Sequence, residues 1–223
     1  MTKVFDSELA EIKEKLLYMS GLVEEMLQYS IKALVERKEH LTAEVYKKER
    51  EVNILQVEID DRCLKLIALY QPAAADLRFI TSAMKINSEL ERMGDQAVNI
   101  ADAGNELLKY PPLKKLIDIP YAAELVKVMV RNSLDAFING DLKLAKTVLE
   151  NDSKVDEIKD QIFRELLFFM LSDQNTIKVA LQLILISRHL ERIADHATNI
   201  AEDVIFIVSG KDVRHHAEET PIS

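Results

Sequence analysis

A 13-residue segment occurs twice in this chain, and the repeat limits the folds that the sequence can adopt. Residues 89–101 read ELERMGDQAVNIA and residues 189–201 read HLERIADHATNIA, so 8 of 13 positions are identical at an offset of 100 residues. A weaker repeat, at an offset of 103, pairs three apolar residues of each half: Val52, Leu55 and Ile59 with Val155, Ile158 and Ile162. Self-similarity at a long fixed spacing is typical of a duplicated structural unit.

Both halves are predicted to be helical. The 223 residues include only five glycines and five prolines, which is too few for a turn-rich β sandwich or barrel. Apolar residues recur with the helical period, and six segments follow from this period and from the breakers between them. The first two cover about 7–37 and 42–70, the third begins near Ala73 or Asp76 and ends near 109, and the fourth covers about 121–138. The fifth follows the turn at residues 140–141 and ends near 171, and the sixth follows the turn at 172–175 and ends near 208. The sequence therefore predicts an all-α fold of two tandem antiparallel three-helix bundles related by the internal repeat.

Prolines mark the boundary between the two halves. Pro111, Pro112 and Pro120 form the only cluster of prolines, and it lies at the middle of the chain. We predict a first bundle over residues 1–110, a second bundle over 119–209 and a flexible tail over 210–223.

Charge and composition exclude several classes of protein. A formal net charge of −9 without a basic block argues against nucleic-acid binding. The single cysteine, Cys63, excludes an internal disulfide and a cysteine-based zinc site. The chain has neither an apolar run of the roughly 20 residues that span a membrane nor the pattern of a signal peptide, so we expect a cytoplasmic protein.

The repeated segment carries an acidic stripe. Three side chains in each copy are spaced by four residues, which places them on one face of a helix: Glu91, Asp95 and Asn99 in the first, Glu191, Asp195 and Asn199 in the second. This face lies roughly opposite the apolar residues of the same helix. It is therefore expected to point out of the bundle, or into a surface groove, and not into the core.

The preceding helix of each half supplies matching partners. Glu49 and Asn53 are as far from the turn at Pro72 as Asp95 and Glu91 are. In the second half, Asp152 and Asp156 stand in the same relation to Asp195 and Glu191 across the turn at residues 173–174. Helices share one rise per residue, so each hairpin should bring four acidic or amide groups to one level.

Oxygen ligands in this arrangement favour hard cations such as Mg²⁺, Ca²⁺, Mn²⁺ or Fe³⁺. A row of carboxylates can also bridge several ions in a multinuclear cluster. A solvated acidic face without metal is the alternative that the residues leave open. The candidate metal ligands are the acidic and amide residues of both hairpins: Glu49, Glu91, Asp95, Asn99, Asp152, Asp156, Glu191, Asp195 and Asn199.

These motifs resemble those of the PhoU family of phosphate-transport accessory and regulatory proteins. The resemblance rests on residues 71–78, which read QPAAADLR, and on the doubled pattern Glu-Arg-x-x-Asp-x-x-x-Asn-Ile-Ala. It implies that metal binds at the Glu/Asp-x-x-x-Asp motifs. Iron in multinuclear clusters is the expected form, and Mn, Zn, Mg or Ni are the alternative ions. Asn53 departs from the family pattern and leaves the first site with one carboxylate fewer.

The resemblance also implies a function. Family members negatively control phosphate uptake and the phosphate-starvation response. Their partners are the ATPase subunit of the phosphate ABC transporter and a sensor histidine kinase. We therefore expect a regulatory adaptor without catalysis of its own, and a homodimer. An oxygen-ligated metalloenzyme or iron-handling bundle is the second interpretation, and a helical scaffold without metal is the third.

Overall fold

A computed structural model describes residues 3–209, which form six long helices and no strand. The helices are α1 (Lys3–Glu36), α2 (His40–Tyr70), α3 (Ala74–Leu107), α4 (Asp118–Asn139), α5 (Leu142–Ser172) and α6 (Ile177–Ser209). One 3-10 turn, Gln174–Thr176, precedes α6. The predicted all-α class is confirmed, whereas the predicted flexible tail, 210–223, lies outside the described residues.

Local chemistry sets the ends of the helices in the second half. Gly140 ends α4 with a φ of +64°, a conformation that glycine adopts without strain. Asp141 then caps α5, because its side chain accepts hydrogen bonds from the backbone N–H groups of Lys143 and Leu144 at 2.9 and 3.1 Å. Helix α4 begins at Asp118, three residues before the predicted start. Pro120 lies in its first turn, where the missing N–H is tolerated.

The helices pack as two three-helix bundles side by side. Helices α1, α2 and α3 contact one another in the first bundle, and α4, α5 and α6 do so in the second. The bundles meet where α3 packs against α6 and α1 packs against α4. Helices α2 and α5 therefore lie on the two flanks, while α1, α3, α4 and α6 occupy the centre.

One apolar core runs through both bundles without a break. The apolar stripe of α3 is fully buried, as its spacing predicts, and Leu90, Met93 and Ala97 are each 0% exposed. The repeated residues of α6, Leu190, Ile193 and Ala197, are buried in the same way. None of the helices within residues 3–209 combines the length and the apolar composition that crossing a membrane requires.

Because the core is continuous, we predict that both bundles unfold together. Leu90→Ala should lower the free energy of unfolding by about 2–5 kcal/mol and shift a single transition rather than one of two. Urea unfolding followed by far-UV circular dichroism measures this. Leu171→Ala, at a residue that is 80% exposed, is the matched control and should change stability little. Two separate transitions, only one of them displaced, would contradict a shared core.

Candidate functional site

In the second bundle, carboxylates on α5 face carboxylates on α6, as their equal distances from the turn predict. The second-bundle cluster consists of Asp152 and Asp156 on α5 with Glu191 and Asp195 on α6. Burial, together with the charges of Asp195, Asp156 and Glu191, raises the pKa of Asp152 to about 6. Desolvation and the charges of Glu191 and Asp156 also raise the pKa of Asp195. Four negative groups therefore repel one another at one level of this helix pair.

Lys159 supplies a positive charge within this cluster. Its Nζ atom lies 2.8 Å from Oδ1 of Asp156 and 3.0 Å from Oε1 of Glu191, so the ammonium bridges the two helices. These hydrogen bonds, that to Asp156 above all, raise the pKa of Lys159 well above its usual value. Lys159 is not among the residues predicted from the sequence, although its position three residues after Asp156 is a detectable signal. Gln56 occupies the equivalent position in the first bundle.

The first-bundle cluster is built in the same way but is less charged. It consists of Glu49 and Asn53 on α2 with Glu91 and Asp95 on α3. The amide Nδ2 of Asn53 donates a hydrogen bond to Oε1 of Glu49 at 2.5 Å. Burial and the charge of Asp95 raise the pKa of Glu91, and Glu49 adds to this shift. Glu49 therefore lies at the height of the α3 carboxylates, as predicted. The Asn53 amide takes the place of the fourth charge.

The amides of the two acidic stripes lie at the exposed surface. Asn99 and Asn199 are both exposed, as are Asp95 and Asp195. Asn199 Nδ2 donates a hydrogen bond to Oε2 of Glu89, which belongs to the other bundle, at 3.0 Å. In this arrangement Asn199 contributes to the contact between the bundles rather than to the second-bundle cluster.

A pair of histidine contacts joins the bundles where α3 crosses α6. His196 Nδ1 lies 2.7 Å from Oε2 of Glu89, and His189 Nδ1 lies 2.8 Å from Oε1 of Gln96. Burial alone would raise the pKa of Glu89, but hydrogen bonds from His196 and Asn199 lower it.

The two histidine contacts are related by the internal repeat. Residue 89 is the equivalent of 189, and residue 96 is the equivalent of 196. The two copies of the motif therefore pack antiparallel about a pseudo-twofold axis. Since α1 and α4 cover α3 and α6 on one side, both acidic stripes lie on the other side of the molecule.

The oxygen groups of both clusters have the right chemistry for a hard cation. Asp156 and Glu191 already share one cation, the ammonium of Lys159. Within residues 3–209, however, no three histidine, cysteine or carboxylate side chains converge on one point that an ion could occupy. Metal binding would therefore require carboxylate side chains to rotate, and Lys159 to withdraw in the second-bundle cluster.

The raised pKa of Asp152 predicts a stability that depends on pH. The folded protein binds this proton more tightly than the unfolded chain, so stability falls as the pH rises from about 4 through 6. Asp152→Asn should therefore stabilise metal-free protein at pH 7.5, by about 1–2 kcal/mol after solvent screening, and scarcely at pH 4. Thermal unfolding in chelator at both pH values measures the difference.

The matched control is Glu49→Gln at the equivalent position of the first bundle, where Asn53 replaces one of the repelling carboxylates. A smaller gain is expected there. An equal gain for Asp152→Asn at pH 4 and 7.5 would show that repulsion among the carboxylates is not its cause.

Each bundle matches a known protein family. The sequence matches the PhoU domain over residues 16–104 and again over 119–204. A curated relative from Aquifex aeolicus, named phosphate-specific transport system accessory protein PhoU homolog, is 45% identical and aligns with 95% of this chain and 96% of its own. The relative of the same name from Zymomonas mobilis is 38% identical, over 95% of this chain and 89% of its own.

Solved structures show the same likeness. The crystal structure of PhoU from Pseudomonas aeruginosa superposes with a TM-score of 0.89 at 36% identity, over 93% of this chain and 100% of that one. The phosphate transport system regulatory protein PhoU from Streptococcus pneumoniae gives a TM-score of 0.84 at 30% identity, over 94% and 99% of the two chains. The likeness therefore extends over both bundles.

Proposed function

Since this chain belongs to the PhoU family, we propose that it is a metal-binding regulatory adaptor that negatively controls phosphate uptake and the phosphate-starvation response. A regulatory role in phosphate homeostasis follows from the family itself, whose members are named accessory or regulatory proteins and not enzymes. Metal binding, the identity of the partners and the negative direction of the control are what we propose.

The proposed partners are the ATPase subunit of the phosphate ABC transporter and a sensor histidine kinase. An adaptor between them would act in the cytoplasm, where an ATPase subunit meets its nucleotide, and would bind through the outer surfaces of its helices. We further propose that it acts as a homodimer. The relatives support the transporter as a partner, because they are named accessory proteins of a phosphate-specific transport system.

The doubled acidic cluster is the observation that carries the metal-binding part of the proposal. In each bundle the carboxylates raise one another's pKa across a helix pair, so a bound cation would relieve that repulsion. Glu49, Glu91 and Asp95 would hold it in the first bundle, and Asp152, Asp156, Glu191 and Asp195 in the second. Asn99 would add an oxygen donor to the first site. Asn199 would do so in the second once its side chain leaves Glu89. We propose iron as the ion. Bound cations would change the charge of the surface that carries the acidic stripes. They would thereby change the surface that the partners meet.

Removing one carboxylate from each cluster should lower the bound metal. The double variant Asp95→Ala/Asp195→Ala is expected to lose most of its metal while keeping its helix content, because both side chains are exposed. Elemental analysis of untagged protein grown in iron-supplemented medium measures this. Glu150→Ala/Glu157→Ala removes two exposed charges of α5 outside the cluster and should keep its metal. Equal metal content in all three proteins would refute the assignment.

The regulatory part is tested in cells that lack this chain. A reporter of the phosphate-starvation response should be active in these cells even at high phosphate, and the wild-type chain should restore repression. If metal is part of the regulation, Asp95→Ala/Asp195→Ala should restore less repression at equal protein level than Glu150→Ala/Glu157→Ala does. A reporter that is repressed normally without this chain would refute the adaptor role.

Lys159 should compete with metal for the second-bundle cluster. Lys159→Gln copies the residue of the first bundle and frees Asp156 and Glu191, so affinity for a divalent cation should rise about tenfold. Titration with Mn²⁺ followed by electron paramagnetic resonance measures the change. Lys154→Gln is the matched control, since Lys154 on the same helix bonds to Asn151 and not to a cluster carboxylate. Unchanged or weaker Mn²⁺ binding in Lys159→Gln would contradict the competition.

A further inference from the structure

The outer side of α2 carries a straight row of exposed residues. Their spacing alternates between four and three, which is the spacing of the contact positions in a coiled coil. We name this row the α2 outer stripe: Ala43, Lys47, Arg50, Ile54, Val57, Asp61, Leu64 and Ala68. The apolar members are well exposed, with Ile54 at 68%, Val57 at 69% and Leu64 at 56%. Aliphatic side chains in such a row are typical of a helix that pairs with another helix.

The α2 outer stripe is complementary to itself when reversed. When a second copy lies antiparallel about the midpoint between Ile54 and Val57, Ile54 of each chain lies opposite Val57 of the other. The same operation sets Arg50 opposite Asp61 twice, Lys47 opposite Leu64 and Ala43 opposite Ala68. Two apolar contacts at the centre are thus flanked by two pairs of opposite charge. Lys47 can also lay its aliphatic stem over Leu64.

We propose that α2 pairs antiparallel with α2 of a second copy of this chain through the α2 outer stripe. The contact is isologous, since each residue meets its complement in both directions about one twofold axis. This inference deepens the homodimer part of the proposed function by naming its interface.

The second bundle provides an internal comparison. The equivalent residues of α5 are also all exposed: Lys146, Glu150, Ser153, Glu157, Asp160, Arg164, Leu167 and Leu171. Glu157 and Asp160 stand where Ile54 and Val57 stand in α2, so the same pairing of α5 would set carboxylates opposite each other. Of the two flanking helices, α2 therefore carries the self-complementary pattern and α5 does not, and one α2–α2 contact about a twofold axis gives a closed dimer.

The size of the contact sets the expected affinity. The stripe covers 25 helical rises of 1.5 Å, or about 37 Å, and one helix pair lies at the small end of specific interfaces. Asp61 also pairs with Lys65 at 2.5 Å, but such exposed pairs contribute little and leave an oxygen free for Arg50. We expect a dimer with a dissociation constant in the micromolar range.

Sedimentation of the full chain over about 1–300 µM tests the interface. Ile54→Glu should raise the dissociation constant at least tenfold, whereas Leu171→Glu, an equally drastic change on exposed α5, should leave it unchanged. A chain that stays monomeric at every concentration, or a dimer that Ile54→Glu leaves intact, would overturn the proposal.

A reciprocal charge exchange tests the antiparallel register. Arg50→Glu places acid opposite acid in its own dimer, and Asp61→Lys places base opposite base, so each variant alone should dimerise at least tenfold more weakly. Their equimolar mixture restores both pairs and should form a heterodimer of about wild-type affinity. A mixture no tighter than its components would overturn the antiparallel register.

Metal content and circular dichroism are measured on the same variants. None of the four substituted residues belongs to an acidic cluster, so both readouts should match the wild type. A variant that loses the dimer but keeps its metal separates this inference from the metal-binding proposal. A wild-type chain that represses the reporter but does not dimerise through α2 separates it from the regulatory proposal.

Discussion

The antiparallel packing of α3 against α6 is the contact on which the arrangement of the molecule depends. Both helices carry the same motif, and each buries one apolar face completely, including Leu90 and Ile193 at 0% exposure. Burying one face determines where the opposite face points. The two acidic stripes therefore lie on one side of the protein because the two apolar stripes share one core.

Polar contacts at the edge of this crossing add specificity. His196 meets Glu89, His189 meets Gln96, and Asn199 donates a hydrogen bond to Glu89. The glutamate, the glutamine and both histidines are partly buried, so pairing avoids the cost of leaving them without partners. The contacts favour the register in which the two copies of the motif are related by a pseudo-twofold axis.

The two halves share a backbone plan but differ in how they balance charge. The first bundle replaces one carboxylate by Asn53, whose amide donates a hydrogen bond to Glu49. The second bundle keeps its fourth carboxylate and adds Lys159, which bridges Asp156 and Glu191. Both solutions reduce repulsion within a row of acids, and they make the two clusters chemically unequal. The outer faces of α2 and α5 differ as well, because residues that face water are free of the packing constraints of the core.

The sequence by itself determined the helices, their order and the outward direction of the acidic stripes. These features depend on local signals: the apolar period of α3, the turn at Gly140 and Asp141, and the equal rise that brings Glu49 level with Asp95. The tertiary structure decided which distant groups meet. Glu89 and His196 are 107 residues apart, and the reach of Lys159 to Glu191 depends on a side-chain rotamer as well as on helix position. Periodicity specifies the face on which a residue lies, whereas contacts also require the packing of neighbouring helices and the torsions of long side chains.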